Sequence, residues 1–403
     1  MRWRKRVSLV LAVAVVGVSL SAPYRAVVEL ANPYWINRGD TMRIMDLGTW
    51  VRPGGVEAAA RADGSWDVGP ARSGERVVLS LLGRMPIKVL EVHAVASRWV
   101  VPSGHSIGIQ LRMRGAVVVG GGGFETPRGW RDPGAEAGLM VGDRIVRLDG
   151  VALGADAGRR VAVAVRRGRA LRLRVLRGGR TLTVRVRPAA DLACGCYRIG
   201  LMLRDGVTGV GTLTFIDPRR GRFMALGHAV EDAAHRPMAL SGGQVLLAGV
   251  VGILRARRGT AGAKLAAVDP LARPWGVVTA NRPEGIEGRL ASWPRGPLVE
   301  VATPDEVHVG PAVMLTALCG QRVEAFRIRI DASDPQQRAT GHGLVIRVTD
   351  ERLVRRTGGI VQGMSGSPIL QDGRIVGAVT HVWVNRPLLG YATFAQWMLP
   401  TRA

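Results

Sequence analysis

Lysine is nearly absent from this chain. Of its 56 basic residues only Lys5, Lys88 and Lys264 are lysine, so the formal net charge of +25 is carried almost wholly by arginine. The arginines are spread over the full 403 residues, and aromatic residues make up only 5%. Proteins that hold single-stranded nucleic acid interleave basic residues with aromatic stacking platforms. That pattern is missing, so nucleic acid is not an expected partner, and attraction to an anionic membrane surface is the more plausible consequence of the charge. Cysteine is scarce as well. Cys194 and Cys196 stand too close for easy bridging, which leaves distant Cys319 as the candidate partner of one of them and an odd thiol free. A Cys-x-Cys pair with one remote thiol is a poor zinc signature, so neither a metal nor another cofactor is expected. The glycine run Gly120–Gly123 reads as a loop. It is not followed by a phosphate-binding lysine, which argues against a nucleotide site.

Only one long apolar run is present. It extends from Val7 to about Ala22, behind the basic start Met1-Arg2-Trp3-Arg4-Lys5-Arg6. This order predicts a signal peptide or membrane anchor over residues 1–22, with the remainder crossing the cytoplasmic membrane as a soluble catalytic part. The next segment, 23–100, carries turn signals such as Asp63-Gly64-Ser65 and two strand-like runs, Arg76–Leu82 and Ile87–Leu90.

What is present is concentrated near the C-terminus. Gly363-Met364-Ser365-Gly366-Ser367-Pro368 places a serine on a tight turn before the apolar pair Ile369-Leu370. Small neighbours let the backbone bend and let a substrate carbonyl approach, which suits a nucleophile. The amides of Gly363 and Ser365 are placed to hold a developing oxyanion. The chain continues as strand, Asp372-Gly373 hairpin turn and strand Ile375–Thr380. Chymotrypsin-like serine proteases look the same after their nucleophile. The resemblance implies that Thr380, His381 and Val382 form a substrate-binding edge to which an extended peptide adds as a strand. Met364 occupies the place of the aspartate that chymotrypsin uses in zymogen activation, so activation by that route is not expected.

A serine needs a base. His228, after Phe223-Met224-Ala225-Leu226-Gly227, sits at a strand-to-loop junction where an imidazole could take the serine proton. His342 and His381 compete for that role. Asp350, Asp232 and Asp217 are candidates for the carboxylate that orients the imidazole, and spacing does not choose among them.

The segments Gly343–Asp350, Thr357–Ile369, Gly377–Asn385 and Ala225–His228 resemble the stage IV sporulation protein B peptidase family. The likeness extends from about Leu81 to about Leu399. Carried onto matching positions, the family's triad implies His228 as base, Asp350 as orienter and Ser365 as nucleophile. Ala229 stands where the family usually has glycine.

A second module precedes these motifs. Pro133–Gly150, with its short helix, Gly142-Asp143, strand and Asp149-Gly150 turn, resembles a PDZ domain. Ser106, Ile107, Gly108 and Ile109 resemble the loop whose amides hold a peptide carboxylate. The expected organisation is therefore mainly β: a PDZ-like domain over 101–190, then a chymotrypsin-like double β-barrel serine peptidase over 191–403. The resemblance implies a self-cleaving endopeptidase of endospore formation, working between forespore and mother-cell membranes. It would cut a membrane-bound regulator of an intramembrane protease, so that a mother-cell sigma factor matures. An inhibitor protein could act through the PDZ-like domain. Two alternatives are an HtrA-like quality-control protease, in which the PDZ domain follows the protease, and a PDZ scaffold with an inactive protease domain.

Overall fold

The computed structural model describes residues 21–399 apart from 22–23, 25–26, 29, 31, 45–46, 48–49, 70–71, 232–235, 270 and 335–340. The expected leader segment, Ser21 excepted, lies outside the described residues, and so does Asp232. Among the described residues no helix is long and apolar enough to cross a membrane.

Apolar–polar alternation builds the strands. In Leu344–Val348 the first, third and fifth residues are buried, as the two-residue period of a strand requires. Six strands close a barrel: Gly310–Cys319, Arg322–Ser333, Leu344–Val348, Leu389–Phe394, Arg374–Val382 and Pro368–Gln371. Its interior holds Met314, Phe326, Ile328, Ile346 and Phe394. Six others, earlier in the chain, also close, so that theirs is the first barrel and the preceding one the second: Ser106–Gly121, Leu240–Leu247, Gly276–Arg282, Gly285–Leu290, Arg222–Ala225 and Leu201–Asp217, the last pairing back to the first. Ile107, Leu213, Phe223, Val245 and Ile286 fill it. Each buried Phe or Ile side chain adds roughly 1.5–3 kcal/mol. The double barrel is thus as expected, and closure leaves neither ring a bare edge.

The Ser106–Ile109 expectation is corrected. These residues form no carboxylate-binding loop. Ile109 pairs with Gly209 on one side and Val245 on the other, and Ile107 pairs with Gly211 and Leu247. The segment is an interior strand of the first barrel, with both edges taken.

The order of units differs too. Two strands of that barrel overshoot it. Ser106–Gly121 and Leu201–Asp217 run on as a pair, Leu201 opposite Gly121 and Arg204 opposite Val117. Gly115, at φ +88°, bends the first of them where an added Cβ would lie 2.3 Å from Ile145 O. On this extension pack Arg144–Leu148, Leu171–Arg177, Arg180–Val186 and the helix Ala157–Arg166, around Val118, Ile145, Val161, Leu173 and Ile199. This unit does not precede the peptidase as a bead on the chain; it is inserted into the first barrel. Gly120 and Gly121 lie in strand rather than loop. Cys194 is disulfide-bonded to Cys196, and Cys319 is free and exposed, so that pairing expectation is reversed.

The N-terminal strands form a sheet in the order Tyr34–Asn37, Met85–Val95, Arg76–Leu81, Val51–Gly54. Trp35 docks it on the second barrel. Its ring meets Trp397 edge-on at 4.8 Å, and its amide donates to Asp305 Oδ2 at 2.5 Å. Burial raises the Asp305 carboxyl to about 7.

Candidate active site

The serine turn is pressed between the barrels. Gly363 and Gly366 adopt φ of +90° and +92°, where only glycine is unstrained. A Cβ on Gly366 would stand 2.2 Å from Thr212 O. Thr212 grips the turn from the first barrel: its amide donates to Ser365 O at 2.9 Å and its Oγ1 donates to Gly363 O at 2.7 Å. The second barrel holds the other side, with Gly366 N donating to Val379 O at 2.7 Å.

Two amides are left over. The Gln362 carbonyl accepts from Lys264 N, and the Met364 carbonyl accepts from Ser367 N, both at 2.8 Å. In a trans peptide the N–H points opposite its own carbonyl. The N–H groups of Gly363 and Ser365 are therefore turned away from these partners, and among the described residues neither donates a hydrogen bond. Both residues line a cleft of about 520 Å³ between the barrels, shared with His228, Gln362, Glu231 and His381.

His228 enters this cleft from a turn made by Leu226 and Gly227, at φ +73° and +71°. Its Nδ1 lies 2.8 Å from Ala229 O. A carbonyl only accepts, so Nδ1 carries the proton and Nε2 presents a lone pair. Ser365 Oγ donates to Thr380 O at 2.8 Å rather than to His228. The His381 ring is 5.0 Å from His228 and 5.3 Å from His342, which meets Tyr391 edge-on. Desolvation, with the two imidazoles beside it, pushes His381 down to about 4, so it is neutral near pH 7.

The structure brings Ser365, His228, Gly363 and His381 together. It does not bring Asp350 to His228, which corrects the expected orienter. Asp350 caps the helix Glu351–Thr357: Oδ1 accepts from Arg352 N at 2.9 Å and Oδ2 from Arg327 N at 3.2 Å. The Arg352 guanidinium bonds both oxygens and holds the carboxyl well below the usual range, against the effect of burial. Asp217 instead accepts from Arg219 N at its own strand end. Among the described residues the carboxylate that lines the cleft is Glu231, which spacing did not suggest.

Thr380, His381 and Val382 end the Arg374–Val382 strand. His381 pairs with Tyr391 and Val382 with Gly390 on one side. Pairing to Pro368–Gln371 on the other side stops at Ala378, and Val379 donates to Ser367 O and accepts from Gly366 N of the serine turn. Among the described residues, therefore, no strand covers the second edge of Thr380–Val382 beside Ser365.

A family model described as SpoIVB peptidase S55 matches residues 195–399. No curated protein matches the chain. Among solved structures, the inactive form of the Rv3671c protease aligns at 19% identity over 47% of this chain and 80% of that one, with a TM-score of 0.29. A serine-to-alanine mutant of Rv3671c from M. tuberculosis H37Rv, also inactive, aligns at 19% identity over 46% and 77%, with a TM-score of 0.25.

Proposed function

The chain belongs to the SpoIVB peptidase S55 family and is a serine peptidase, and from that premise we propose that Ser365 is its nucleophile and His228 its general base. The observation that carries this is the single cleft lined by the serine, an imidazole with a bare Nε2, and two uncommitted amides. Ser365 Oγ turns from Thr380 O to His228 and attacks the scissile carbonyl. The Oγ–C bond forms as the proton passes to Nε2, and the carbonyl oxygen becomes an oxyanion held by Gly363 N and Ser365 N. Collapse breaks the C–N bond, and the imidazolium protonates the leaving amine. Water then repeats the sequence on the acyl ester. The Ala229 carbonyl, rather than a carboxylate, fixes the imidazole tautomer. The substrate lies as an added strand along Thr380–Val382.

The finer reading rests on the family. The enzyme is exported or anchored, cleaves itself, and then cuts a membrane-bound regulator during endospore formation. The inserted unit is PDZ-like, and its peptide groove lies at Gly200–Leu203 rather than Ser106–Ile109. In support, the edge of Leu201–Leu203 not paired to Ser106–Gly121 faces the helix Ala157–Arg166 across a cleft of about 400 Å³ lined by Val161, Val165, Ile199 and Leu203. The test is mass spectrometry of the protein without residues 1–22 against Ser365→Ala and His228→Ala. Self-trimming by the parent alone is expected. Equal fragments from all three would refute the assignment.

A further inference from the structure

Lys264 lies in the seam between the barrels and has no part in the mechanism above. Its strand, Ala263–Ala267, carries it to the back of the serine turn, where it is 4% exposed. The ammonium meets three hydroxyls: Ser106 Oγ and Thr212 Oγ1 of the first barrel, each at 3.3 Å, and Thr316 Oγ1 of the second at 2.7 Å. Directions are fixed around it. Thr212 gives its proton to Gly363 O and Ser367 donates to Thr316, so both threonine oxygens receive at Lys264. Three donors thus face three oxygens, which is the full capacity of an ammonium. The stem also runs along the turn, since a Cβ on Gly363 would sit 3.1 Å from Lys264 Cβ.

Among the described residues no carboxylate bonds to Lys264. Among the described residues the strands packed on Nζ offer it only hydroxyls. The ionisable group beside Ser106, His105, is turned to Ser103 Oγ and the Trp275 ring. Composition sharpens the point. In a chain whose cations are otherwise almost all arginine, the buried cation is one of three lysines. A planar five-donor guanidinium does not fit three converging hydroxyls, whereas a compact ammonium does.

We propose that Lys264 is a positioning residue of the peptidase. Through Thr212 it fixes Gly363, and so the pair of amides that receive the oxyanion. Its uncompensated positive charge behind the turn favours the negative charge that forms in front of it. This rests on Ser365 being the nucleophile. Burial pushes the ammonium down to about 7, so the charge is discharged at mildly alkaline pH and its effect can be read in a pH profile.

The probe is a fluorophosphonate, whose phosphoryl oxygen takes on negative charge where the oxyanion would lie as Ser365 displaces fluoride. Its inactivation kinetics separate kinact from KI. Lys264→Met should lower kinact by roughly 10–100-fold, a fraction of the 10²–10³ that loss of a direct oxyanion donor causes, with KI moved less than about threefold. The parent's kinact should decline above about pH 7, and Lys264→Met should abolish that decline. Thr212→Val should lose kinact similarly, and Thr212→Ser, which restores the hydroxyl, should recover most of it. A folded Lys264→Met protein with parental kinact and pH profile overturns the proposal. If that variant does not fold, equal kinact for Thr212→Val and Thr212→Ser overturns it instead. A parent no more reactive than Ser365→Ala removes the nucleophile assignment and the proposal with it.

Discussion

The Lys264 ammonium should leave a mark on stability opposite to its mark on catalysis. In the unfolded chain it keeps its proton up to about 10.5; in the folded protein burial brings that down to about 7. Between these values the unfolded chain binds more protons, so raising the pH stabilises the folded state, and below about pH 7 the full penalty is present. At about 1.4 kcal/mol for each pH unit the whole gap corresponds to roughly 5 kcal/mol. Lys264→Met removes the titration while filling a similar volume. Guanidinium unfolding of both proteins between about pH 7 and about pH 9 should show the parent gaining roughly 2 kcal/mol on the variant. Parallel stability curves would refute the buried, unpaired cation. The parent would thus be firmest at the alkaline pH where its turn is least charged.

Three further outcomes are expected. Gly366→Ala puts a Cβ 2.2 Å from Thr212 O at φ +92°, so the barrels must part. A loss of roughly 3 kcal/mol or more in thermal unfolding, together with loss of probe labelling, is expected. Asp350→Asn weakens the bonds from Arg352, whose side chain is more than half exposed; it should destabilise by only about 1 kcal/mol while kinact per folded molecule stays within about tenfold of the parent. A fall near 10⁴-fold would instead mark a true orienter. His381 should titrate by NMR near pH 4. Because its folded value is depressed, acidification through the ordinary histidine range should cost stability, and His381→Phe should flatten that slope.

The serine turn and His228 were legible because their chemistry is local. Gly-x-Ser-Gly states its own bend, and Leu226-Gly227 places the imidazole that follows. Ser106–Ile109 could not be placed that way. Its partners, Thr212 and Leu247, lie more than a hundred residues along the chain, and an apolar stretch with one glycine reads equally as binding loop or interior strand. Asp350 is different, since its true role was written beside it. An aspartate before Glu351-Arg352-Leu353-Val354 is a helix start, and the family's triad outweighed that local signal. Lys264 left only the trace of a lysine among small apolar residues, because the hydroxyls that hold it come from three distant strands.

The inserted unit and the serine turn share a structural member. Leu201–Asp217 is one strand of 17 residues, roughly 50 Å end to end. Its first residues edge the groove beside the helix Ala157–Arg166, and near its far end Thr212 holds Ser365 and Gly363. A domain tethered by a linker can swing without informing its neighbour. A domain built on a common strand is tied more closely. Occupancy of the groove would reach the serine along one continuous chain segment, through the irregularities at Met202/Leu203 and Arg204/Gly206 and past the bend at Gly115.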